Sequence, residues 1–329
     1  MMTSRFKKLV VALALVSSGS FTGLMSTSAI AAAPFAKTPA PGYFRLMVGA
    51  YEVTALSDGT VDLPVDKLLM EPEEKTHAAL SSSFLKAPLE TSVNAYLINT
   101  GSKLVLIDTG AGGLFGPTLG KLLANLKASG YEPAQVDDVF ITHMHGDHVG
   151  GLAAGGNIAF PNATIHADQR DADFWLSQAN LDKAPADQKG SYQGAIGSFK
   201  PYIAAKKFVP FKGGMDKGVL ELASGVKSYS GYGHTAGHTV YVVESEGQKL
   251  MLIGDLIHVT AVQLDHPEVT IAFDTDPKEA AKARDKIFTE AAKQGVLVAA
   301  SHIQFPGLGH LKKTGNSYEW IPVNFTQMR

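Results

Sequence analysis

Six consecutive positions, His143 to His148, read His-Met-His-Gly-Asp-His, and they follow the short apolar run of "DVFIT". Residues two apart on an extended backbone point to the same side, so His143 and His145 project together from a strand end. Gly146 can turn the chain sharply, which lets Asp147 and His148 face a neighbouring point. The spacing suits two adjacent metal ions, each needing several nitrogen or oxygen ligands while keeping a position open for water. The fold must therefore bring distant donors to this strand end. Candidates are His234 in "GYGHTAGHT", Asp255 in "LIGDLIH" and His302 in "AASHIQFPGLGH", each at or just beyond a predicted strand end. The chain has no cysteine, so thiolate ligands are excluded and imidazole and carboxylate remain. Taken singly, His77, His166, His266 and His310 read as ordinary surface or core histidines.

Strand and helix signals fall into two groups along the chain. Residues Tyr43 to Pro64 alternate like strands around a turn at Asp58-Gly59. "VNAYLINT" and "KLVLIDTG" form a hairpin about Gly101-Ser102 that ends at Asp108, and a helix follows from Pro117 to Ser129, closed by Gly130. "DVFIT" and "TIHAD" are short strands, "QRDADFWLSQAN" a helix, and Ser191 to Lys206 a further helix. Beyond these, "GVKSYS", "TVYVVES" and "KLMLIGD" are strands, the last two joined at Glu246-Gly247. "PKEAAKARDKIFTEAAKQG" is a long amphipathic helix before the strand "VLVAASH". Strands grouped in two sets, each trailed by helices, predict an α/β (α+β) architecture with two sheets face to face and helices outside.

The first residues are a separate matter. Arg5, Lys7 and Lys8 precede an apolar run from Leu9 to Val16, with small residues up to Ala31, which reads as a secretory signal peptide over 1–31 cleaved near Ala31. The run is too short for a stable membrane anchor. A Pro/Ala linker over 32–41 follows, and 42–329 is expected to be a single domain, periplasmic or secreted. Removing those three basic residues leaves 26 against 31 acids. That balance, with no basic run, argues against a nucleic-acid partner. Without cysteines the exported chain has no disulfides, and its core alone holds the fold.

"THMHGDHVGG", "GHTAGHT", the "GD" after an apolar strand and the later "SH" resemble the metallo-β-lactamase superfamily in order and separation, over essentially the whole mature chain. The resemblance implies a four-layer αββα sandwich with the site along one edge. It also implies that His143, His145 and His234 hold one metal, Asp147, His148 and His302 the other, and that Asp255 bridges them. Asp108 matches the aspartate that stands behind the ligands, and His238 a less constant supporting position. "GAGGLFGPTLG", "DADFWLSQANLDKA" and "ASHIQFPGLGH" further resemble the methyl parathion hydrolase branch, which hydrolyses aryl phosphotriesters, lactones and aryl esters. That likeness implies a substrate pocket lined by Phe115, Trp175 and Tyr192, and fits a homodimer. For a lone aromatic, core packing is the competing role.

Two zinc ions suit such a donor set without redox chemistry, and other divalent metals fit as well. They would supply a bridging hydroxide at neutral pH and polarise a carbonyl or phosphoryl oxygen. The thiolate-using β-lactamases are excluded by composition, and glyoxalase II-like hydrolysis by the lack of a basic clamp. Acyl-homoserine lactonases share the ligands and carry a tyrosine three positions after the bridging aspartate. Here that position is His258, either a polar group for an oxygen ester or lactone, or a support for the metal ligands. The expectation is a dinuclear-zinc hydrolase of lactones or aryl esters such as dihydrocoumarin, with Asp255 and His258 in the catalytic centre and aryl phosphotriesters as additional substrates. The alternatives are a dedicated methyl parathion hydrolase and a non-catalytic metal-binding protein of the same fold. All seven ligand positions being filled speaks against the last.

Overall fold

The computed structural model describes residues 33, 35–213, 220–223 and 225–327; the expected signal peptide and its cleavage point lie outside the described residues. The first half of the chain runs β1 (Tyr43–Val48), β2 (Tyr51–Leu63), α1 (Val65–Leu68), α2 (Glu73–Ser82), β3 (Leu89–Asn99), β4 (Leu104–Ile107), α3 (Leu122–Ala128), β5 (Asp138–Phe140) and α4 (Gly146–Val149). A two-stranded ribbon of β6 (Ala153–Ala154) and β7 (Asn157–Ile158) comes next. It leads to β8 (Thr164–His166), α5 (Gln169–Trp175), α6 (Gln178–Lys183) and α7 (Lys189–Ala204). The second half adds β9 (Leu220–Ala223), β10 (Val226–Ser230), β11 (Thr239–Ser245), β12 (Gln248–Leu252), α8 (Thr260–Gln263), α9 (Pro277–Gln294), β13 (Leu297–Ala299), β14 (Leu308–Thr314) and β15 (Ser317–Pro322).

These strands make a six-stranded sheet ordered β1-β2-β3-β4-β5-β8 and a seven-stranded sheet ordered β15-β14-β13-β12-β11-β10-β9. The side-chain period of two sorts each strand between two cores. From β3, Tyr96 and Ile98 enter a core shared with Tyr241 and Val243 of β11, so the two sheets face each other. Ala95 and Leu97 point the other way, onto Leu122 and Leu126 of α3 and Phe199 and Tyr202 of α7. Val240 and Val242 of β11 likewise meet Ile287 and Phe288 of α9. The result is the expected αββα order of layers. Strands buried on both faces explain the unbroken apolar runs of "KLVLID" and "KLMLIG".

Local expectations failed where a tertiary contact outweighed propensity. Asp58-Gly59 is no hairpin turn: β2 runs straight through it with a shift of register against β3 between Ser57 and Gly59. Asp58 is fully buried, and its carboxylate accepts the backbone N–H groups of Ala111 (2.9 Å), Gly120 (2.9 Å) and Leu122 (3.0 Å). Gly59 adopts φ +123°, and a Cβ there would lie 2.1 Å from the Thr118 carbonyl oxygen. The same clamp delays the expected helix of 117–129, which begins only at Leu122. The helix expected over 169–180 breaks at Leu176, and Ser177 caps α6 by accepting the Asn180 N–H. Helix α2 and the β14–β15 hairpin went unpredicted.

Both ends of the loop between Gly110 and Lys121 thus hang on one carboxylate. Asp58→Ala would strand three donors at about 1 kcal/mol each, and a fall in melting temperature of roughly 6–10 °C is expected in thermal unfolding. A fall of less than about 2 °C would show that the loop is held by other means.

Candidate metal centre

The carboxyl ends of β4, β5, β10, β12 and β13 open on one edge of the two sheets, and each delivers a polar side chain there. Asp108 follows β4, His143 to His148 follow β5, His234 follows β10, Asp255 follows β12 and His302 follows β13. The turn after His145 is made by the short helix α4. Gly146 has an ordinary backbone and serves close packing instead: a Cβ there would lie 2.9 Å from Cε2 of Phe115.

Two groups of donors meet across Asp255. In the first, Nδ1 of His145 lies 3.1 Å from Nε2 of His143 and 3.1 Å from Nε2 of His234. Oδ2 of Asp255 completes it at 3.5 Å from His143 and 3.3 Å from His234. In the second, Nε2 of His148 lies 3.5 Å from Oδ2 of Asp147 and 3.2 Å from Oδ1 of Asp255. Nε2 of His302 lies 3.4 Å from Asp147 and 3.0 Å from Asp255.

The outer nitrogens decide what these rings offer. Nδ1 of His148 donates to Asp108 at 2.9 Å, Nδ1 of His234 to Asp274 at 2.8 Å, and Nδ1 of His302 to the Ser92 carbonyl at 2.9 Å. Nδ1 of His143 faces the Thr142 hydroxyl at 3.0 Å, and that hydroxyl donates to Asp108 at 2.8 Å. In the neutral form that binding a cation requires, a proton held on the outer nitrogen leaves each inner nitrogen a bare lone pair. Nε2 of His148 and Oδ1 of Asp255 are buried with no hydrogen-bond partner. Bare acceptors converging at 3.0–3.5 Å match the edge of a tetrahedron of zinc-like bonds, about 3.3 Å. The donor set fits divalent cations.

The electrostatics divide the rings: against the lowering effect of burial, neighbouring carboxylates raise His148 and His302 and bring His234 up to about 9. Burial first, then neighbouring His234, pushes His145 down to about 3, and burial pushes His258 down to about 4, so both rings are neutral. Burial alone would raise the Asp255 carboxyl, but His148, His302 and His143 outweigh it and hold it well below the usual carboxylate range.

All the residues singled out from the sequence reach this edge. His238 accepts the Asp255 N–H on Nε2 at 3.1 Å and so orients the bridging position from behind. His258 stacks on His302 with ring centroids 5.0 Å apart, and its Nε2 lies 3.2 Å from Asp255 without the alignment of a hydrogen bond. Asp255, His258 and His302 therefore form a further trio able to hold an ion. A cleft of about 540 Å³ lies above these donors. Trp175 packs edge-on against His145 at 5.2 Å and tilts against Tyr192 at 4.9 Å. Both rings belong to the core as well as to the cleft wall, while Phe115 stands half exposed at the mouth. Sequence reasoning missed Thr142, Asp171 and Asp274, and also the cleft residues Phe174 and Phe273. Thr142 adjoins His143, but no spacing marks the others.

A family model for the metallo-beta-lactamase superfamily matches residues 89–302. Ribonuclease Z of Pyrococcus furiosus is 36% identical over 75 residues, 23% of this chain and 22% of that protein. The chain spans about a fifth of the length of the curated relatives it matches. Among solved structures, the hydrolase AbOPH of the beta lactamase superfamily is 38% identical, with TM-score 0.82 over 88% of this chain and 100% of that one. AidC, a dizinc quorum-quenching lactonase solved with a product, is 28% identical, with TM-score 0.78 over 87% and 99%.

Proposed function

Because the chain belongs to the metallo-beta-lactamase superfamily and is a metal-dependent hydrolase, we propose that it hydrolyses uncharged lactones and aryl esters at a dinuclear zinc centre. His143, His145 and His234 would hold one ion, Asp147, His148 and His302 the other, with Asp255 between them. Bound there, the ions supply hydroxide at neutral pH and polarise the scissile carbonyl. The reading of residues 1–31 as an export signal supports a periplasmic or secreted enzyme.

The observation that carries the substrate class is the cleft. Imidazoles and carboxylates line it beside the apolar Val61, Leu63, Phe115, Phe174, Trp175 and Phe273, with Gln188, Ser191 and Thr275 as uncharged polar groups. Among the described residues no lysine or arginine lines it. Beyond the ions themselves, a carboxylate or phosphodiester substrate would find no cationic side chain, whereas a flat, neutral ring can stack on Trp175 and Tyr192. The likeness to a dizinc lactonase points the same way.

His258 is the polar group beside the reacting carbonyl. Its ring nitrogens lack aligned partners in the folded chain, so a lactone oxygen can supply one. Replacing it with leucine is expected to cost lactone turnover about tenfold, one hydrogen bond at roughly 1–1.5 kcal/mol. Methyl parathion turnover should stay level or rise, because an apolar surface of similar size suits a dimethyl thiophosphate. Measuring kcat/KM on dihydrocoumarin, a homoserine lactone, p-nitrophenyl acetate and methyl parathion tests both the function and this role. A wild-type chain holding two metals yet inert on all four substrates would sink the proposed function. An equal loss on both substrate classes in the variant would assign His258 to holding metal.

A further inference from the structure

Asp108 and Asp274 stand outside the donor groups and each bonds a ligand imidazole; another buried carboxylate near the centre bonds none of those rings. Asp171, in the first turn of α5, is 1% exposed. Its Oδ2 accepts the Met144 N–H at 2.9 Å and the Thr235 hydroxyl at 2.8 Å, and its Oδ1 accepts the Gly237 N–H at 2.6 Å. Met144 lies between His143 and His145, and Thr235 follows His234 directly. The two chain segments that deliver the three imidazoles of the first donor group are thus joined through a side chain that touches none of those rings.

The same helix carries Trp175 four residues on, one turn further along the same face. Its ring meets His145 edge-on. Helix α5 is itself tied down by Asp168, which accepts the Arg170 N–H (2.8 Å), the Tyr232 hydroxyl (3.1 Å) and the Gly213 N–H (3.2 Å). Contact around Asp171 is tight: a Cβ on Gly237 would lie 2.7 Å from the Asp171 nitrogen. Burial pushes the Asp171 carboxyl up to about 6, so its charge is held at a cost. Only an acceptor on both oxygens satisfies three converging donors, and an amide would turn an N–H toward one of them.

The geometry points to Asp171 as a positioning residue that sets the distance between the His143/His145 segment and the His234 segment and registers both against the Trp175 wall. The inference rests on the reading that these imidazoles hold a divalent ion.

The test uses the whole mature chain, stripped of metal and titrated with Co²⁺ against a competing chelator. In Asp171→Asn, one of the two Co²⁺ equivalents should bind about 10- to 100-fold more weakly, with its visible absorption bands altered, while the other equivalent binds as in the parent. KM for p-nitrophenyl acetate should rise with it. Thr235→Val should give a smaller loss at the same equivalent, and Thr235→Ser should restore it. A variant that binds both equivalents as the parent does, losing only thermal stability, overturns the inference, as does an equal weakening of both. If Asp171→Asn does not fold, the Thr235 pair decides by the same criterion. A parent chain that takes up no Co²⁺ overturns the ligand reading and this inference with it. A parent that takes up two beside an unchanged variant overturns this inference alone.

Discussion

Asp255→Ala should leave a folded chain that turns over aryl esters at least about a thousandfold more slowly, the kinetic equivalent of roughly 4 kcal/mol. Asp255 is the one carboxylate that both donor groups share. Oδ2 reaches His143, His234 and His302, and Oδ1 reaches His148, all within 3.5 Å. Without it, four imidazoles face each other around a vacancy, and Asp147 supplies a carboxylate to the His148 and His302 side alone. Elemental analysis should find fewer than two metals per chain. A variant that keeps two metals and near-parental turnover would show that Asp255 does not bridge.

The second large effect is expected one layer further out. Asp108 sits at φ +61°, a backbone conformation that asparagine also tolerates, so Asp108→Asn should preserve the chain path. Its chemistry does not survive. Oδ1 accepts the Thr142 N–H at 2.8 Å, and Oδ2 accepts both the Thr142 hydroxyl and Nδ1 of His148. An amide can satisfy one side only. If its N–H₂ faces His148, the imidazole must move its proton to Nε2 and lose the lone pair that points at Asp147 and Asp255. The expected result is a loss of about 10- to 100-fold in affinity for one metal equivalent. It is read by chelator competition, with the unfolding temperature as control. Unchanged affinity would mean that the tautomer of His148 is set by something other than Asp108.

Much of this is legible in the amino-acid sequence. The His-x-His-x-Asp-His run is local, so its spacing marks a group of donors, and the far donors were candidates because each lies at or just beyond a predicted strand end. The layers followed from the grouping of strands and the alternation of residues such as Tyr96/Ile98 against Ala95/Leu97. Boundaries were legible only where a cap or turn acts locally, as at Glu246-Gly247, where both residues adopt positive φ.

What tertiary structure decided is the set of acceptors behind the ligands and the shape of the cleft above them. Asp58 looked like half of a turn and became the clamp of the Phe115 loop. Its partners lie 53 to 64 positions away, and no periodicity links such distances. Asp274 and Asp171 carry no motif, yet one orients His234 and the other joins two ligand-bearing segments. A ligand declares itself by type and spacing because coordination geometry is short-ranged along the chain. The carboxylates that hold it in place are selected only by where folding buries an unmet N–H or O–H, and that is a property of the packed molecule.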